Sequence, residues 1–211
     1  MLISCTGIHK FYNGSHVLRA LSLTIENQDR IGLVGDNGCG KSTFLRILTE
    51  EELPDSYEHD DPQIAKMPGL RIGYLAQNAG LDGAKTVREE MEEAFAPLFA
   101  AKAEMAGLEA EMQNGGLTEY QANEYARLSA YFEINDGYHT DVRIRTVLYG
   151  MGFSEDDMQR AVGSFSGGEK TRLALCKLLL SAPDLLILDE PTNHLDFQTV
   201  GWLEEYLKGW K

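Results

Sequence analysis

The chain has 211 residues, enough to bury one large core or a core with a lobe, and its 43% hydrophobic and 25% charged residues are ordinary for a soluble globular protein. A formal charge of −14, from 33 acidic residues against 19 Lys and Arg, does not advertise nucleic-acid binding, because phosphate backbones reward clustered cations. Aliphatic runs such as residues 178–180 and 185–188 are far too short to cross a bilayer, so no membrane insertion is expected. The start, MLISCTGIHK, has neither a basic opening nor a sustained apolar stretch, which argues against a secretory signal. Cys5, Cys39 and Cys176 stand without C-x-x-C spacing, so reduced thiols and a cytoplasmic location are the expectation.

In chain order, residues 2–8 and 18–25 read as strands joined by turn chemistry at Asn13-Gly14-Ser15. Residues 30–34 form a short apolar strand that feeds a glycine-rich loop, and residues 41–50 then carry helical spacing through Phe44, Ile47 and Leu48. The stretch 51–69 is acidic and proline-rich and reads as a surface loop; residues 71–76 return as a strand ending at Gln77. From Thr86 to Met112 apolar residues recur at helical spacing, which predicts an amphipathic helix kinked at Pro97. Asn114-Gly115-Gly116 breaks it, and Thr118 with Gln121 forms a capping box that opens a second helix through Leu128 and Phe132. A further helix is expected over 140–149. The last third brings a helix over 169–180, a buried strand over 185–188 and a short amphipathic segment from Val200 to Leu207.

Three stretches carry chemistry. Gly35, Asp36, Asn37, Gly38, Cys39, Gly40, Lys41, Ser42 and Thr43 match the phosphate-loop pattern. The glycines let backbone N–H groups converge on phosphate oxygens, and the helix that starts near Lys41 adds its positive end. The Lys41 ammonium suits β- and γ-phosphates, and the Ser42 hydroxyl suits Mg²⁺. Second, the strand over 185–188 ends in Asp189-Glu190, where ligands gather in open α/β sheets. Asp189 is placed to hold Mg²⁺ and Glu190 to polarise a water. Third, Ser166, Gly167 and Gly168 stand at a helix start, a second anion-binding element or a simple N-cap.

Taken together and in this order, GDNGCGKST, Gln77, FSGGEKTRLAL and LLILDEPTNHLD resemble an ATP-binding-cassette (ABC) nucleotide-binding domain. DEPTNHLD, with Asn193-His194, is similar to the ABC-F subfamily of soluble tandem-cassette ATPases that act on ribosomes in translation or antibiotic resistance. The alternative is the motor subunit of an ABC membrane transporter. The resemblance implies an α/β P-loop fold with a small antiparallel β portion and a helical lobe. It implies an ATP-binding core over 1–79 and 166–211, and the lobe over 80–165. It assigns Ser42, Gln77 and Asp189 to Mg²⁺, and catalysis to Glu190 as general base together with Lys41 and Gln77. Ser166, Gly167 and Gly168 become the signature that closes over ATP on a second cassette, and Asp196 falls in the loop that communicates between cassettes. Tyr12 is the expected adenine-stacking ring, with Phe11 as competitor and packing in the strand region as the plain alternative.

The family pattern continues into a strand ending in a switch histidine, and into a linker and second cassette. None of these precedes Lys211, so an N-terminal cassette with its last strand missing is expected, inactive in isolation. Self-association through uncovered apolar edges is expected with it, and residues 197–211 are expected to be poorly supported or packed against a neighbouring chain. Ribosome contact would use regions outside this chain, and the hairpin over 86–133 reads as the ordinary lobe rather than a ribosome-facing arm.

Overall fold

The computed structural model describes residues 1–56, 62–75, 80–116, 118–193 and 195–210. The chain divides into two compact units, Met1–Ala76 with Pro183–Pro191 and Trp210–Lys211, and Gln77–Ala182 with Thr192–Gly209.

The first unit is built on a hairpin. Strand β1 (Ile3–Tyr12) pairs antiparallel with β2 (Ser15–Ile25), from Ile3 opposite Ile25 to Tyr12 opposite Ser15. The turn between them needs left-handed backbone, and Asn13 (φ +48°) and Gly14 (φ +80°) are residues that adopt it readily. On its other edge β1 pairs with β3 (Gln63–Lys66), a strand within the stretch expected to be a loop. Its four residues are not buried deeply enough to leave an apolar run, so pairing with β1 alone defines it. A parallel pair, β4 (Ile72–Leu75) and β5 (Leu185–Leu188), joins residues more than a hundred positions apart. Arg71 and Asp184 clip its entrance: the Asp184 carboxylate accepts the Arg71 N–H at 2.9 Å and pairs with the guanidinium, and the Asp184 N–H returns to the Arg71 carbonyl. Helix α1 (Lys41–Leu48) lays Phe44, Leu45, Ile47 and Leu48 against Ile3, Ile8, Leu18 and Ile187 to close this core.

One expected strand is not formed. Residues 30–34 run without ladder pairing, and Ile31, Leu33 and Val34 are exposed, Val34 at 98%. An apolar run becomes a strand only where its N–H and C=O groups meet a neighbour. The parallel sheet among the described residues therefore has two strands.

The second unit is helical. The long helix expected from Thr86 is two helices, α2 (Val87–Glu92) and α3 (Ala96–Gly115), joined by a 3₁₀ turn over Glu93–Phe95. Pro97 lies in the first turn of α3, where its missing N–H costs nothing, so it starts a helix rather than kinking one. Helix α4 (Glu119–Ile134) opens at Thr118 with the expected capping box, and α5 (Thr140–Gly150) follows. Helix α6 (Gly167–Ser181) places Leu173, Leu175, Cys176 and Leu179 among Val87, Met91, Phe95 and Leu148, all buried. Its C-terminal neighbour Ala182 turns left-handed (φ +44°) and ends it.

Helix α7 (Phe197–Lys208) corrects the expectation for the end of the chain. Asp196 caps it by accepting the Thr199 N–H at 2.8 Å, and Thr199 and Leu203 are buried. The Trp202 ring lies where a Cβ on Gly150 would be, 1.9 Å from it, and stacks on Tyr206 at 5.0 Å. Gly150 is the notch that admits the indole. Helix α6 packs against α2 and α5, and α7 against α5, within the second unit.

Candidate functional site

Within the first unit the glycine-rich loop leads straight into α1. Gly38 (φ +80°) and Gly40 (φ +102°) hold backbone that L side chains rarely adopt. Gly40 is also the N-cap residue of α1, and a Cβ there would come within 2.8 Å of both Val17 and Leu18 of β2. The loop is thus seated against the hairpin, and the packing as well as the backbone demands glycine. Its curve is closed from inside by Lys41, whose Nζ donates to the carbonyls of Gly35 (2.7 Å) and Asp36 (3.0 Å). Thr43 is buried and anchors the first turn, while Ser42 and residues 35–39 are exposed.

Strand β5 delivers Asp189, half-buried, and Glu190, exposed. Glu190 holds φ +49°, a left-handed conformation that costs a side-chain-bearing residue about 1–3 kcal/mol and recurs at functional sites. Burial, and then the negative charges of Asp189 and Glu51, push the Tyr74 phenol above its ordinary pKa. That places the Asp189 carboxylate within electrostatic reach of β4.

The two candidate rings at the end of β1 have different surroundings. Phe11 is stacked on His16, with centroids 4.1 Å apart. Tyr12 is 39% exposed, and its hydroxyl donates to Glu52. Glu52 and Lys10 both meet Tyr12, and Asp55 holds Lys10 and the Phe11 N–H, although no motif marks them; one cation in a strand and two acids in an acidic stretch leave no periodic signal.

In the helical unit Ser166 caps α6 with a capping box. Its N–H (2.8 Å) and hydroxyl (2.6 Å) both donate to Glu169, whose own N–H returns to the Ser166 oxygen. The two Ser166 bonds hold the Glu169 carboxyl below the ordinary range. Gly167 and Gly168 form the first turn, and a Cβ on Gly167 would meet nothing within 4 Å. Asp196 is held ionised by the Thr199 N–H at the start of α7. Of the remaining candidates, Gln77 and His194 lie outside the described residues.

Among the described residues no helix is long and apolar enough to cross a membrane. The donor set of the first unit fits a magnesium nucleotide: an exposed glycine loop at a helix N-terminus, one ammonium, one hydroxyl at the helix start, and a carboxylate at a strand end. Residues 18–193 match the family model described as ABC transporter, a span that includes the loop, Ser166–Gly168 and Asp189-Glu190. The chain belongs to that family.

Three relatives sharpen the position of this ABC cassette. It is 41% identical over 210 residues to the tylosin resistance ATP-binding protein TlrC of Streptomyces fradiae, covering 98% of this chain and 37% of TlrC. It is 36% identical over 210 residues to ABC transporter F family member 5 of Arabidopsis thaliana, covering 98% of this chain and 30% of that protein. It is 36% identical over 193 residues to the energy-dependent translational throttle protein EttA of Haemophilus influenzae, covering 91% of this chain and 34% of EttA. One of these relatives is named an F-family member, and the chain spans about a third of the length of all three. A dimeric bacterial ABC transporter cassette, MJ0796, shares the fold with a TM-score of 0.63 at 20% identity, covering 98% of this chain and 82% of that one.

Proposed function

We propose that this cassette binds and hydrolyses ATP as part of a cytoplasmic ABC-F protein acting on the ribosome. The carrying observation is the first unit's arrangement: a left-handed glycine loop closed by Lys41 at the head of α1, with Asp189-Glu190 at the end of β5. In this reading the N–H groups of the loop from Gly35 to Thr43 and the Lys41 ammonium bind the phosphates. Lys41 exchanges its two carbonyl partners for phosphate oxygens. Ser42, Gln77 and Asp189 hold Mg²⁺, which when bound neutralises phosphate charge. Glu190 orients the attacking water and accepts its proton, and its strained backbone fixes the carboxylate.

Ser166, Gly167 and Gly168 face ATP on a second cassette, and dimeric MJ0796 supports that partnership by likeness of fold. The ribosome as target is supported by the likeness to a translational throttle protein and to an antibiotic-resistance protein. The division into an ATP-binding core (1–79 with 166–211) and a lobe (80–165) belongs to the same reading. It names which residues serve the nucleotide rather than which helices pack together. The test is co-sedimentation of the whole protein with ribosomes under Mg·ATP, with Glu190→Gln in place. Ribosome association that rises in the variant supports the reading. Association with a membrane permease instead, or indifference to ATP, sinks it.

A further inference from the structure

We propose that Glu52 and Lys10 are positioning residues that orient Tyr12 as the platform for the nucleobase, tying that platform to the helix that carries the phosphate loop. The proposal rests on the ATP reading above.

Glu52 follows α1 directly, and its N–H donates to the Arg46 carbonyl at 3.2 Å, continuing the helix end. Its carboxylate, 19% exposed, accepts the Tyr12 hydroxyl and pairs with Lys10 (3.3 Å) and Arg46 (3.5 Å). Lys10, 13% exposed, is fixed in turn by the Leu53 carbonyl (2.7 Å) and Asp55 (3.2 Å). Asp55 completes the clip: its carboxylate accepts the Phe11 N–H at 2.8 Å, and its N–H donates to the His9 carbonyl at 2.9 Å. The segment after α1 is therefore bonded to β1 at residues 9–12.

This clip acts on a ring in the right place. Gly40 abuts Val17 and Leu18 of β2, and the ladder sets Lys10 opposite Leu18 and Tyr12 opposite Ser15. The phosphate loop and Tyr12 thus share one end of the hairpin. Helix α1 runs about 12 Å from the loop at its head to Leu48, and Glu52 stands four residues past that end. The Lys10 ammonium lies 5.8 Å from the Tyr12 ring centroid and covers one face, so a base would stack on the other. Phe11 spends its ring on His16 and offers no such platform. Because the Tyr12 hydroxyl is held at the ring edge, the ring's rotation is fixed before a base arrives, which lowers the ordering cost of stacking.

The experiment measures calorimetric affinity of the chain for Mg·ATP and for Mg·tripolyphosphate, which lacks a base. Tyr12→Ala should weaken ATP about tenfold. Tyr12→Phe, which keeps the ring, and Glu52→Ala should each weaken ATP about threefold, with Lys10→Met similar. Tripolyphosphate binding should be unchanged in all four. The double variant Tyr12→Phe/Glu52→Ala should lose no more than either single change, because both remove the same bond. Additive losses, equal losses for both ligands, or full ATP affinity in Glu52→Ala would overturn the positioning role. Failure of the unaltered chain to bind either ligand would overturn the nucleotide reading and this proposal with it. Tripolyphosphate binding with no preference for ATP would overturn the platform alone.

Discussion

The phosphate-loop site of the first unit and the scaffold of the helical unit treat their polar groups in opposite ways. In the helical unit charge is spent internally. Glu90 is completely buried, accepts the Asp82 N–H and pairs with Lys177 at 2.5 Å; Lys177 also pairs with Glu93 at 2.6 Å, and Glu93 with Lys85. Capping boxes close α2, α4 and α6 with their own side chains. In the phosphate-loop unit the loop over 35–39 and Glu190 are exposed, and at that site left-handed backbone falls on Gly38, Gly40 and Glu190 themselves. Self-satisfied groups stabilise a scaffold, whereas strained and exposed ones remain available to a ligand. Substitution of Glu190 should therefore change chemistry with little change in stability, and substitution in the buried ion pair of the helical unit should do the reverse.

The largest expected effect tests the first half of that contrast. Glu190→Gln in the whole protein should lower ATP turnover by about 10²–10⁴-fold, the usual contribution of a positioned general base. Binding of Mg·ATP and the unfolding midpoint should remain those of the unaltered protein. Steady-state phosphate release and equilibrium binding, measured side by side, check it; undiminished turnover removes Glu190 from the mechanism.

The opposite outcome is expected for Lys177→Met, on the face of α6 that meets α2. It leaves the Glu90 carboxylate buried without its cation, which costs about 3–5 kcal/mol. Urea unfolding followed by Trp202 fluorescence measures this, and Glu90→Met/Lys177→Met should recover most of the loss, since two apolar residues replace a desolvated pair. Mg·ATP affinity of the folded fraction should stay within about twofold, well under the threshold of 1.4 kcal/mol per decade. A large affinity change would erase the division of labour between the units.

The same contrast explains what could be read from the sequence. Features fixed by neighbours in the chain were legible: Thr118 with Gln121 and the glycine loop before α1; the strand that ends at Asp189 was legible from its unbroken apolar run although its partner is distant. Features fixed by distant partners were not. Residues 30–34 have the composition of a strand but no ladder, and β3 lacks the composition yet pairs with β1. Pro97 is compatible with a kink or a helix start, and only the 3₁₀ turn before it decides. Helix α7 looked unsupported because the notch at Gly150 that receives Trp202 lies some fifty residues away. At the site, Tyr12 was named from the family resemblance, with Phe11 as competitor; its exposure at the end of β1 is what the structure adds. Glu52 and Lys10 were not legible, because their roles depend on how the segment after α1 returns to β1.

A smaller effect separates local from tertiary stabilisation within the helical unit. Thr118→Ala removes the hydroxyl that accepts the Gln121 N–H and donates to the Gln121 side-chain carbonyl oxygen, while the backbone N–H of residue 118 keeps its own bond to Gln121. Loss of such a cap costs about 1 kcal/mol. Because Thr118 is exposed and touches only its own helix start, thermal unfolding should shift by a few degrees, and Thr118→Ser should restore it. A loss as large as that of Lys177→Met would mean that the α3–α4 hairpin is coupled to the buried pair.

The smallest effect is in the pH dependence of Glu93. Lys177, and then Lys85, hold its carboxyl down at about 2, against an ordinary value of 4.5. A carboxylate with a depressed folded pKa contributes stability that is fully present above its unfolded value. That contribution fades as the pH falls from about 4.5 toward about 2. The stability difference between the unaltered chain and Glu93→Gln should therefore be constant above pH 5 and shrink steadily below it, vanishing near pH 2. Because the side chain is well exposed, added salt should flatten the same difference at pH 7, whereas the buried Glu90–Lys177 pair should keep its effect in salt. Urea midpoints at several pH values and two salt concentrations decide it. A difference independent of pH would show that Glu93 contributes by packing alone and that the charge in this unit resides in the buried pair.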